Sequence, residues 1–197
     1  NALYSDFVWD DKTLICSNSY IKSIDKLIVL LKSPFLYNPD ELKVELEKCG
    51  YYRPLIILSF AVDYKIWHLN PFGYHLTNII WNILVCISIF YFIEKLFGNI
   101  FISFNSALLF ALHPVHTESV TWISGRTDII ASFFYFFSIC LYINFLTKSR
   151  HKQVFYLLSI LSFILALSSK EISVTLPIIL ILYEYSFQNK KFKLKFI

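Results

Sequence analysis

The hydrophobic positions fall into two regimes. From residue 74 onward the chain is a series of long apolar runs: Tyr74 to Phe97, Ile100 to Leu112, Ile129 to Leu146, Val154 to Ser168 and Ile172 to Phe187. About 20 apolar residues cross a hydrocarbon core of about 30 Å as a helix. The first and third runs reach that length, and the others are shorter spans. The first run carries His75, Asn78 and Asn82 at i, i+3 and i+7, which is one helical face. Polar side chains within a bilayer turn toward the bundle interior. Pro177 in the last run is tolerated where neighbouring helices satisfy the freed backbone groups.

Residues 1–70 are mixed instead of uniformly apolar. Apolar residues at 24, 27, 28 and 31 predict a helix with one buried face over 21–32. Pro34 and Pro39 punctuate the next stretch, and Asp40 to Lys48 alternates acids and bases, as an exposed helix or loop would. Pro54 sits at a first-turn position ahead of an apolar stretch ending at Trp67. That stretch is about 20 Å long at helical rise. It is too short to span and carries Asp63 and Lys65, so it predicts an interfacial helix near 54–67. The expected organisation is a largely helical first segment, 1–70, followed by a helix bundle of about five helices over 71–197. The fold class is all-α.

Composition agrees with a membrane protein. Hydrophobic residues make up 56% of 197, charged residues only 16%, and mean hydropathy is +0.56; soluble domains carry more charge. Residues 1–70 hold nine acids and eight bases, residues 71–197 five acids and ten bases. The basic excess lies between and after the apolar runs, where it reports topology and gives no reason to expect nucleic acid. Lys148, Arg150 and Lys152 form one cluster; Lys190, Lys191, Lys193 and Lys195 form another. Both go to the cytoplasmic side by the positive-inside rule. Alternation then places residues 1–70, the stretch 113–128 and Lys170-Glu171 together on the extracytoplasmic side. With no Met anywhere and a basic tail at the end, the chain reads as an internal piece of a longer protein.

The stretch His113 to Asp128 sets two His, Glu118, Arg126 and Asp128 between apolar runs. Ionisable groups at a membrane mouth are functional candidates. A plain solvated turn is the alternative, but it needs neither two His nor Pro, Trp and Gly so close together. Asp10-Asp11 is the second candidate. Adjacent carboxylates suit a general base or a divalent cation; the alternative is a helix cap ahead of Lys12, and Asp11 is expected to cap that turn, which leaves Asp10 as the base. Arg53, His113, His116, Arg126 and Lys170 suit a phosphate held at the membrane surface, Arg by bidentate contacts. His75, Asn78, Glu118, Asp128 and Glu171 are supporting candidates. His113, His116 and Glu118 resemble a zinc set only loosely, since Pro114 disturbs their helical display. Neither a metal nor another cofactor is expected. No phosphate-binding glycine loop occurs, which argues against a nucleotide. Cys86 and Cys140 lie in apolar runs as packing residues. Cys16 and Cys49 share the extracytoplasmic segment, where a bridge is permitted.

In order along the chain, the stretches Phe7-Val8-Trp9-Asp10-Asp11, Tyr52-Arg53-Pro54-Leu55, Ser59-Phe60-Ala61-Val62-Asp63-Tyr64, Asn70-Pro71-Phe72-Gly73-Tyr74-His75-Leu76-Thr77-Asn78, His113-Pro114-Val115-His116-Thr117-Glu118-Ser119-Val120, Trp122-Ile123-Ser124-Gly125-Arg126-Thr127-Asp128 and Ser169-Lys170-Glu171 resemble the membrane portion of the O-mannosyltransferases with tetratricopeptide repeats. That group includes the cadherin-targeting transmembrane enzymes and bacterial relatives. The resemblance implies a polytopic helix bundle of the GT-C type, with residues 1–70 as the first extracytoplasmic loop carrying the catalytic acid. It further implies a polyprenyl- or dolichyl-phosphate sugar donor, mannose in the eukaryotic group, a protein Ser or Thr acceptor, and inversion. The family's first helix, later helices and repeat domain have no counterpart in this sequence. A transporter and a non-catalytic membrane scaffold are the rival classes. A transporter predicts an inverted repeat, which is not found; a scaffold predicts dispensable acids.

Overall fold

The computed structural model describes residues 2–35, 51–148 and 150–188. The stretch Asp40 to Lys48, Cys49 with its proposed bridge to Cys16, and the lysines of the tail lie outside the described residues. Among the described residues the chain is helical and has no strand. Its helices are α1 (Ile24–Leu30), α2 (Pro54–Trp67), α3 (Pro71–Phe97), α4 (Ile100–Leu112), α5 (His116–Thr121), α6 (Arg126–Thr147), α7 (Lys152–Leu167) and α8 (Leu176–Tyr183).

Local chemistry sets the boundaries. The Asn70 side chain accepts the Phe72 N–H at 3.2 Å, with Pro71 as the first helical residue of α3. α3 stops at Gly98, whose φ of 62° is the left-handed cap that glycine takes without penalty. Asn99 then caps α4 through the Phe101 and Ile102 N–H groups. The chain therefore reverses within two residues. The helix expected over 21–32 is shorter, a tight turn at Tyr20–Lys22 followed by α1. The last apolar run is also divided. A 3-10 turn spans Glu171–Thr175 before α8 begins at Leu176. Pro177 falls in the first turn of α8, not inside a spanning helix, so it removes no helical hydrogen bond.

α3 and α6 run parallel. Near their starts Asn78 bonds the carbonyls of Trp122 and Ile123, and near their ends Lys95 donates to Asn144 at 2.7 Å. α4 returns against α3, and α7 against α6. The α6–α7 seam is built from small residues: the Ser138 and Ser159 hydroxyls pair at 3.1 Å, and the Ser162 hydroxyl donates to the Phe134 carbonyl. Small and hydroxylated residues let helices approach closely where no water drives them together. α3 and Ile123–Thr147 are each long and apolar enough to cross a membrane, while α4 and α7 are shorter apolar helices. Exposed Phe101, Leu109, Leu161, Ile178 and Ile181 cover the outer faces. An apolar surface of this kind suits lipid better than water.

Residues 2–35 pack on the starting end of α3 and α6. Phe7, Leu14, Ile15 and Ile21 share a core with Ile56, Phe60, Tyr74, Ile123 and Ile130. Leu55 N–H bonds the Ser168 carbonyl, joining α2 to the link between α7 and α8. One end of the bundle thus collects residues 5–23, the start of α2, the stretch 113–128 and Lys170-Glu171.

Candidate functional site

The acid pair is divided between two environments. Asp11 has no exposed surface. One carboxylate oxygen accepts both the backbone N–H and the hydroxyl of Ser124, and the other accepts the Val8 N–H at 3.1 Å. Burial pushes its pKa up, opposed by the hydrogen bonds from Ser124 and Val8. Asp11 does precede a helical turn at Lys12–Cys16, but its side chain makes no capping bond there. The expectation that it caps that turn is corrected: the carboxylate reaches across the fold to Ser124 instead. Asp10 is half-buried, and among the described residues nothing hydrogen-bonds or ion-pairs with its side chain. Trp9, just before it, has a φ of 45°.

Arg126 organises the floor beneath this pair. It is fully buried, with Nε donating to Asn78 Oδ1 at 2.6 Å and Nη2 to the Tyr74 carbonyl at 3.1 Å. Nη2 also pairs with Asp63 at 2.6 Å, and Nη1 reaches the Ser59 hydroxyl at 3.3 Å. Phe60 presents its ring face 4.9 Å from the guanidinium. Asp63 accepts a further bond from Thr77 at 3.0 Å. The network ties α2, α3 and the start of α6 together. Arg126 was expected to face a phosphate, but all its surface is enclosed and its guanidinium is engaged by protein. Asn78 is likewise fully buried, with its amide directed to Trp122 and Ile123. His75 is buried, with Nε2 3.2 Å from the Ser5 carbonyl.

Sequence reasoning missed Asp63 and Ser124. The signal for Asp63 was present: Ile56, Phe60 and Asp63 share one helical face at i, i+4 and i+7, and all are buried. An acid on a buried face requires a cation, and Arg126 supplies it. Ser124 gave no comparable signal.

Beside this floor lie two adjoining cavities. One, of about 360 Å³, is lined by Asn82, Phe110, His116, Ser119, Asp128 and Ser132 among others. The second, of about 280 Å³, is lined by Asp128, Ser132, Tyr135, Lys170 and Thr175 among others. They share Asp128 and Ser132, so one groove runs from His116 to Lys170. Lys170 forms an ion pair with Asp128, and both remain partly exposed. His116 lies against the Phe110 ring at 3.9 Å between centroids. Burial, then the neighbouring His113, lowers its pKa and favours the neutral ring. His113 is exposed and accepts the Val115 N–H on Nδ1. Glu118 is exposed.

Arg53 and Glu171 form a two-pronged pair at 3.2 and 2.9 Å next to Lys170. The Arg53 guanidinium also lies 4.8 Å from the Tyr51 ring. Burial alone would raise the Glu171 pKa, but the Arg53 hydrogen bonds and charge hold it below the usual carboxylate range. Among the described residues no group of three or more His, Cys, Asp or Glu is placed to hold a metal.

The acid pair and the groove are joined by the stretch 119–128. Ser124 holds Asp11, while Ser119 and Asp128 line the groove. Gly125 makes that stretch compact: a Cβ there would sit 2.9 Å from the Ser119 carbonyl oxygen and 3.0 Å from its Cα. The arrangement offers a carboxylate that nothing pairs with among the described residues, a groove with Asn82, Asp128 and Ser132 in its wall, and the Lys170 cation beside it.

No family model and no solved structure matches the chain. Among curated proteins it is 36% identical to protein O-mannosyl-transferase TMTC3 of Homo sapiens over 135 residues, covering 68% of this chain and 14% of that protein. It is 37% identical to protein O-mannosyl-transferase TMTC2 of Mus musculus over 147 residues, 73% of this chain and 17% of the relative. Protein O-mannosyl-transferase F38B6.6 of Caenorhabditis elegans aligns over 183 residues at 32%, 90% of this chain and 25% of the relative. The chain therefore spans a quarter or less of the length of these relatives.

Proposed function

We propose, on the premise that this chain belongs to the protein O-mannosyl-transferase family, that it carries the reaction end of a polytopic GT-C glycosyltransferase. The enzyme moves mannose from a polyprenyl- or dolichyl-phosphate donor to protein Ser or Thr, with inversion. The supporting observation is the hold of Ser124 on Asp11. It brings residues 7–11, remote in sequence, to the stretch that also lines the groove.

Asp10 is the base, because among the described residues nothing pairs with its carboxylate, while both oxygens of Asp11 are engaged. A Ser or Thr hydroxyl is a weak nucleophile and needs a positioned base. As its oxygen bonds to the anomeric carbon, its proton passes to Asp10. The bond from that carbon to the phosphate oxygen breaks on the opposite side, and the electron pair leaves on the lipid phosphate. That anion needs charge stabilisation and no proton. Lys170 provides it, with Arg53 and the two His as further polar contacts, and Asp128, Asn82 and Ser132 face the sugar. Arg126, His75 and Asn78 act as the frame. The active end faces the extracytoplasmic side, with the basic clusters on the other.

The test uses the full-length parent with a polyprenyl-phosphate mannose donor and an acceptor peptide. Asp10→Asn is expected to keep folding and donor binding and to lose ~10²–10⁴-fold in rate. An Asp10→Asn protein that transfers at the wild-type rate would remove Asp10 from the mechanism.

A further inference from the structure

Residues 8–11 form a turn closed by two backbone bonds, Asp11 N–H to the Val8 carbonyl at 2.9 Å and Lys12 N–H to the Trp9 carbonyl at 3.1 Å. The turn is anchored on both sides. Phe7 is buried edge-on against Tyr74 at 5.3 Å, and Asp11 is buried on Ser124. Between these anchors Trp9 takes a φ of 45°, a conformation where glycine is the ordinary residue. It projects outward, 77% exposed, with Trp122 against it in a T-shaped contact at 5.9 Å between centroids. Strain of this kind persists only where the surroundings over-determine it, and it concentrates at functional sites. The largest side chain thus occupies a position suited to none, directly before Asp10.

We infer that Trp9 is the platform that positions the acceptor polypeptide beside Asp10. This role rests on the glycosyl-transfer reading. In an in-line displacement the acceptor enters opposite the departing phosphate. In that reading the phosphate and sugar occupy the groove between His116 and Lys170. A group on the outer side of the base therefore meets the acceptor. An exposed indole suits that role: it is rigid, flat and largely apolar, and it adds contact area at little conformational cost. Trp9 does not touch the reacting atoms; it orders the polypeptide on either side of the hydroxyl. The competing role for an exposed Trp at this end is an anchor in the lipid headgroups. The T-shaped contact with Trp122 and the strained turn beside the acid favour the acceptor.

The experiment uses the full-length parent, dolichyl-phosphate mannose and a lysine-flanked Val-Thr-Val-Thr-Val-Thr peptide, acetylated and amidated. Trp9→Ala is expected to raise the peptide KM about 10- to 30-fold, the loss of an aromatic anchor. Its kcat at saturating peptide should fall far less, and Trp9→Phe should recover part of the KM. Trp9→Gly separates binding from structure. It relieves the backbone, so the melting temperature should hold or rise while the peptide KM rises as in the alanine variant. An unchanged KM in Trp9→Ala, with the wild type transferring normally, overturns the inference and leaves the transferase reading standing. Indole quenching by acyl-chain-brominated lipid that is lost in Trp9→Phe, with no change in KM in Trp9→Ala, also overturns it, in favour of a lipid anchor. A wild type that transfers nothing to this peptide brings down the glycosyl-transfer reading and the inference together.

Discussion

Arg126 and Asp63 are buried together and bonded at 2.6 Å, with Asn78, Tyr74 and Ser59 accepting three more of the guanidinium's donors. Removing one partner leaves a charge without a counter-ion, which is far worse than losing a surface pair. Arg126→Gln is therefore expected to cost about 3–5 kcal/mol, read as a large fall in melting temperature in detergent. Asp63→Asn should cost a similar amount, and the double variant less than the two costs together, because two neutral amides can bond each other. Full additivity would show that the pair is not coupled. At this scale the sequence was partly legible. Arg126 was identified as important by its position in a charged stretch between apolar runs. That pattern says a charge is there for a reason, but it does not distinguish a ligand contact from a framework bond. The difference depends on which helix face Asp63 presents, and on α2 lying across the starts of α3 and α6. The polar stripe of His75, Asn78 and Asn82 was legible as one face, yet it divides: the first two face the framework and only Asn82 reaches the groove.

Among the elements, the turn at Ile123–Gly125 decides whether the acid pair and the groove meet. Its approach to Ser119 is possible because Gly125 has no Cβ. Gly125→Ala would press a methyl into the Ser119 backbone, which cannot rotate away. Overpacking of this kind costs about 1–3 kcal/mol and displaces Ser124, so on the proposed transferase reading, mannosyl transfer by the full-length parent should fall with stability. Gly98→Ala is the matched control. Its φ of 62° also disfavours alanine, by about 1–2 kcal/mol, but the site is at the far end and its Cβ meets nothing within 4 Å. Transfer by folded Gly98→Ala should be near normal; equal losses in both variants would show that Gly125 matters only for stability. The helices themselves were largely legible, because long apolar runs bounded by Asn-Pro, Gly-Asn and basic residues leave few alternatives. The division of the last run was not, since its 3-10 turn at Glu171–Thr175 follows from Ser173 bonding back to the Ala166 carbonyl.

For the molecule as a whole, the claim is that one end of the bundle gathers the chemistry. Sequence alone reached the same grouping through a different argument, the two basic clusters and the alternation of apolar runs. That argument needs only counting and charge, whereas the site depends on contacts between residues far apart in the chain, such as Asp11 and Ser124. The direct measurement is side-specific labelling of single cysteines in a Cys-free full-length parent in sealed membranes. Tyr4 and Glu118 are exposed at the proposed active end, and Lys148 is exposed at the other. Tyr4→Cys and Glu118→Cys should label with an impermeant maleimide from the same, extracytoplasmic side. Lys148→Cys should label only from the cytoplasmic side. Labelling of Tyr4→Cys and Glu118→Cys from opposite sides would separate the acid pair from the groove and contradict the account.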